Sequence, residues 1–148
     1  MKRKRTILAA IAFVVIATGF YGGREFFRPN TDILKLKETF RTTVPSLLQE
    51  FKVSDTLASK KYLGKIIVVQ GNLKGLEKDE KGFQTLVLGD AGDHSSIRCS
   101  LAVHHNSEVA GLHPGSIVSV KGEFTGYNAD TTGLLGSDVQ LNRCAIAN

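Results

Sequence analysis

Two cysteines and four histidines are the side chains here best suited to redox or metal chemistry. Cys99 and Cys144 can form a disulfide if the chain reaches an oxidising compartment. A structural zinc site takes four ligands, which two separated cysteines do not supply. His104 and His105 are adjacent, and on a strand neighbouring side chains point to opposite faces. With His94 and His113 they match no established metal-ligand spacing, so all four read as solvated loop histidines and no metal is expected. The loop 90–94 (DAGDH) carries carboxylates but lacks the spacing and closing glutamate of a calcium loop. No G-x-S-x-G elbow surrounds any serine, and the glycines at 71–75 and 133–136 lack the lysine-serine ending of a phosphate loop. No catalytic constellation emerges, which points to a non-enzymatic protein without a cofactor.

The elements that must position these residues change character near Gly64. From there the pattern is that of strands. Residues 65–74 (KIIVVQGNLK) are rich in β-branched side chains and hold Gly71 in mid-run, the mark of a bulge or bend. Residues 76–82 read as a charged turn, 83–88 (FQTLVL) as a second strand, and 96–102 (SIRCSLA) as a third. In the third, Ile97, Cys99 and Leu101 share one face and Arg98 and Ser100 the other. A short helical stretch at 106–112 precedes Pro114-Gly115 and a fourth strand, 117–125, with its own inner glycine, Gly122. Residues 138–146 (DVQLNRCAI) form a fifth.

Five strands with a helix between the third and fourth is the layout of an OB-fold barrel, and interior glycines suit the sharp strand bends that a small barrel needs. The fold class expected is therefore mainly β: a five-stranded OB-fold barrel over 59–148. In such a barrel strands three and five are neighbours, so Cys99 and Cys144 can meet. A bond closing a loop of about 45 residues would contribute roughly 4 kcal/mol in the chain-entropy model. OB domains usually bind on strands two and three, framed by the loops after strands one and four. That face would offer Arg98 and Ser100, with Lys74 and Lys78 near the first loop and Tyr127 in the last.

Upstream, residues 24–58 read as a helical spacer. Asp32 follows Pro29 as a cap, and Ile33, Leu34, Leu36 and Phe40 give an approximate helical stripe ending before Pro45. Leu47, Leu48 and Phe51 form a second stripe, and Ser54 is placed to cap a third helix running toward Tyr62.

At the amino terminus, Lys2, Arg3, Lys4 and Arg5 precede an uncharged run over 6–23. Its 18 residues would reach roughly 27 Å as a helix, close to a bilayer core. It reads as one transmembrane or signal helix, either kept as an anchor or cut near Gly19. Both readings place the amino terminus in the cytoplasm and the following domain in the periplasm, by the positive-inside rule. The basic tag also accounts for four of the five net positive charges. Residues 24–58 hold six basic and five acidic side chains, and 59–148 hold nine of each. A domain without net charge, with few aromatics and no tryptophan, is a weak platform for nucleic acid.

Several pieces resemble the bacterial tRNA_anti-like OB-fold family. These are 58–65 (ASKKYLGK) followed by Val68, Val69 and Gly71, then Ile97-Arg98-Cys99, 112–115 (LHPG) with Val118, Val120 and Gly122, and Leu141-Asn142-Arg143-Cys144. The resemblance spans about residues 45–146. It implies an OB fold, frequently behind a membrane or export segment, and brings no catalytic residues. The function expected is a non-catalytic binding or docking module of the bacterial envelope, anchored in the inner membrane or exported. Its ligand would be a protein, peptide or envelope polymer. The alternative is an OB domain for single-stranded nucleic acid.

Overall fold

Phe40, Thr42 and Thr43 favour extended chain, whereas Pro45 fits the first turn of a helix, where its missing N–H costs nothing. The computed structural model describes residues 31–132 and 134–147. In it strand β1 (Phe40–Thr43) runs directly into helix α1 (Val44–Val53). The first stripe is therefore not one helix. Its beginning is a single 3-10 turn, Ile33–Lys35, capped by Asp32, and Pro45 opens α1 instead of ending a helix before it. Helix α2 (Asp55–Tyr62) starts at Ser54 as the sequence indicates, with Ser54 Oγ accepting from Leu57 N at 3.3 Å.

Five further strands follow: β2 (Ile66–Lys78), β3 (Gln84–Leu88), β4 (Ser96–Leu101), β5 (Ile117–Asn128) and β6 (Asp138–Ile146). β2, β3 and β4 form an antiparallel meander, β6 lies parallel to β4, and β5 lies antiparallel to β6. The first half of β2 pairs antiparallel with β5 and closes the ring. This is a closed five-stranded barrel of OB type. The connection between β4 and β5 carries a 3-10 helix, Val103–Val109, slightly earlier than the helical stretch expected at 106–112. β1 adds a sixth strand parallel to β2, with Phe40 opposite Ile67.

Alternation along β2 to β6 directs Ile67, Val69, Leu86, Ile97, Leu141 and their neighbours into one apolar core. The stretch read as a spacer contributes to it. Leu47 and Phe51 of α1 and Ala58 and Tyr62 of α2 belong to the same buried cluster. Phe51 stacks on Tyr127 with ring centroids 4.6 Å apart, and Phe124 and Tyr62 complete the aromatic group.

The two inner glycines make room rather than simply bend the chain. A Cβ on Gly71 would lie 2.4 Å from Val44 Cγ2, while Gly71 itself keeps a regular partner, Val118. The register break in β2 falls later, between Leu73 and Gly75. Gly122 faces a true irregularity: the β5–β6 register shifts between Lys121 and Glu123, where Arg143 takes φ +55°.

The segment read as anchor or signal, residues 1–23, lies outside the described residues. Among the described residues no helix is long and apolar enough to cross a membrane.

Candidate ligand face

In β4, burial alternates strictly after Ser96, so Ile97, Cys99 and Leu101 point inward while Arg98 and Ser100 remain half-buried on the outer face. Pairing carries this polar row across the sheet. Ser100 faces Thr85 of β3, their hydroxyl oxygens 3.5 Å apart, and Arg98 faces Gln140 of β6. With Thr125, Leu141 and Asn142 these residues line a polar trough of about 260 Å³. Arg98 forms an ion pair with Glu77 of β2 at the trough's edge. Nearby Asp138 is pushed above the usual carboxylate range, chiefly by burial and also by the charge of Glu77, against the pull of Arg98 and Lys74.

Hydroxyls, amides and one guanidinium in this arrangement can hydrogen-bond an extended polar chain. They supply no stacking surface. Phe83 is the only exposed phenylalanine or tyrosine ring among the described residues.

The other sequence candidates fall elsewhere. Lys74 is tied down, with Nζ donating to Asp93 O at 2.5 Å and to Ser96 Oγ at 3.2 Å, which fixes the 90–95 loop. Lys78 is exposed at the end of β2, opposite Gln84. Tyr127 is not in a loop: it lies within β5 and its ring stacks on Phe51. Thr85, Gln140 and Asn142 were missed, although the alternation of 138–142 (DVQLN) sets Gln140 and Asn142 on the face opposite Val139 and Leu141.

Asp130 is the main brace of the loop joining β5 to β6. Asp130 accepts hydrogen bonds from Thr132 N and Oγ1, Leu135 N and Gly136 N, at 2.6 to 2.8 Å. The Thr132 hydroxyl, then the backbone donors, hold its carboxyl well below the usual range against a smaller opposing effect of desolvation. Gly136 packs so tightly on His94 that a Cβ would lie 2.2 Å from the His94 carbonyl carbon. Leu134 and Leu135 nevertheless stand out in water, 76% and 83% exposed.

Cys99 and Cys144 do come together. Both are fully buried free thiols inside the barrel. Burial, and then the hydrogen bond with Cys99, push the Cys144 thiol well above its usual range.

A second cluster shares no residue with the trough. His104 and His105 occupy the 3-10 helix, not a strand, and their ring centroids are 4.2 Å apart. His105 is buried rather than solvated, with Nε2 3.0 Å from Asp32 Oδ1 and Nδ1 2.5 Å from Glu108 Oε1. Burial opposes its protonation, yet the two carboxylates outweigh that and raise its pKa. The expectation that the adjacent histidines point apart is thus corrected, because their backbone coils instead of extending.

Strand order, closure of β2 on β5 and a polar trough on the outer face together define an OB-fold domain. A sequence model of the tRNA_anti-like family matches residues 1–137, and the chain belongs to that family. No curated protein matches the chain.

Among solved structures, one similar chain is a lipoprotein from Klebsiella pneumoniae to which nucleic-acid binding has been provisionally ascribed. It is 18% identical, with 82% of this chain and 100% of that one covered and a TM-score of 0.57. A Leishmania major protein ascribed to aspartyl-tRNA synthetase is 15% identical, covering 80% of this chain and 22% of that one, with a TM-score of 0.44. Asparaginyl-tRNA synthetase from Pyrococcus horikoshii is 17% identical, covering 60% and 21%, with a TM-score of 0.40. The Klebsiella likeness supports the OB fold.

Proposed function

We propose that this chain is a non-catalytic binding module of the bacterial envelope, which takes a protein or peptide segment on the trough between β3, β4 and β6. The observation that carries this reading is the pair Leu134 and Leu135. They are held in water by a loop that Asp130 braces rather than folded back on the barrel. Adjacent exposed leucines on an ordered loop gain free energy only when a partner covers them. The polar trough between the strands that this loop joins and their neighbours can meet the partner's backbone groups. The basic cluster 2–5 and apolar run 6–23 support an inner-membrane anchor or export signal, with the barrel in the periplasm.

Photo-crosslinking from the full-length chain in cells tests this. Probes at Leu135 and Gln140 are expected to capture the same protein, while a probe at Lys65 captures none, and Leu135→Asp abolishes capture. No common protein captured from Leu135 and Gln140 would overturn the reading. Protease access to the barrel from the cytoplasmic side would overturn the topology.

The second reading is single-stranded nucleic acid, favoured by Arg98 in the trough, by exposed Lys78, and by the activity ascribed to the Klebsiella lipoprotein. It predicts oligonucleotide binding that weakens steeply with salt. The Arg98–Glu77 ion pair and the scarcity of exposed rings count against it.

A further inference from the structure

We propose that Asp32, His104 and His105 form a binding site for a divalent metal ion of the zinc type, which ties the segment entering the barrel to the 3-10 helix between β4 and β5. One ligand atom from each residue falls within 4.8 Å of the others. Asp32 Oδ1 lies 3.0 Å from His105 Nε2 and 4.0 Å from His104 Nε2. Tetrahedral zinc, with bonds of about 2.0–2.2 Å to nitrogen and oxygen, sets its ligand atoms roughly 3.3 Å apart. Reaching that geometry asks mainly for rotation of His104, whose side chain is 55% exposed.

Two features make this more than three neighbouring polar groups. His105 Nδ1 is held by Glu108 Oε1 at 2.5 Å, and Glu108 Oε2 in turn accepts from Ile146 N at 3.2 Å. A histidine oriented through one ring nitrogen by an anchored carboxylate, with the other nitrogen toward the ion, is the usual support of a metal-bound imidazole. Asp32 is positioned independently, because Oδ1 also accepts from Leu34 N at 3.0 Å. Two imidazoles and one carboxylate suit zinc better than calcium or magnesium, which prefer oxygen. Three protein ligands leave the fourth position to solvent or to a donor from outside.

The test uses the full-length chain without an affinity tag, stripped with chelator and then titrated with Zn²⁺ by calorimetry and with Co²⁺ by visible absorption. Expected are one equivalent of Zn²⁺, d–d bands of a four-coordinate cobalt site, and a rise in Tm that chelator reverses. His104 is exposed, so His104→Ala spares the fold and is expected to abolish the cobalt bands. Glu108→Gln should weaken Zn²⁺ binding about 10- to 100-fold. His113→Ala, outside the cluster, should change nothing. No saturable binding in molar excess of Zn²⁺, or binding that His104→Ala leaves intact, would show a metal-free ion pair and overturn the proposal.

Discussion

The sulfur of Cys144 occupies the space that a side chain on Gly122 would need. A Cβ at Gly122 would sit 2.5 Å from Cys144 Sγ and 3.1 Å from Leu141 Cβ. The contact lies where the β5–β6 register shifts. Gly122→Ala should therefore overpack the core and destabilise the domain by about 1–3 kcal/mol. Cys144→Ala in the same chain should recover part of that loss, giving a favourable coupling in a double-mutant denaturation cycle. Strictly additive effects would show that the sulfur is not the obstacle.

The aromatic group predicts that α1 is part of the domain's stability. Phe51 is 2% exposed and stacks on Tyr127, with Phe124 at 5.4 Å between centroids. Phe51→Ala is expected to cost about 3–5 kcal/mol in chemical denaturation. A loss below about 1 kcal/mol would be that of a surface substitution and would detach the helix from the core.

Asp130 predicts a specific pH dependence. Its carboxyl is held below the ordinary value of 3.8 by donors that exist only in the folded loop. A depressed folded pKa contributes stability above the unfolded value, and that contribution fades as pH falls through the folded one. The Leu135 and Gly136 amide resonances should therefore stay unperturbed while exposed carboxylates titrate, and move only at lower pH. In Asp130→Asn the loop's acid sensitivity in this window should disappear. An Asp130 carboxyl that titrates at its ordinary value would contradict the brace.

Burial of Cys99 and Cys144 predicts protected thiols. Alkylating reagent should leave both unmodified in the native chain and label both after denaturation with reductant. If the chain is exported to an oxidising compartment as proposed, we expect a disulfide in the protein isolated from it. Intact mass after denaturation and capping without reductant would then show no added caps, and two after reduction. Two caps without reductant would mean that the thiols persist.

Much of the fold was legible from local pattern. The strict alternation around Arg98 and Ser100 gave their face, Ser54 announced α2, and the five strands lie within a few residues of their expected bounds. Periodicity reports which way a residue faces relative to its own element, because the pleat and the helix turn fix that locally. It does not report which distant element will cover that face. Tyr127 on Phe51, Lys74 on the 90–95 loop, and Asp32 beside His105, 73 residues away, were therefore decided only when the barrel closed.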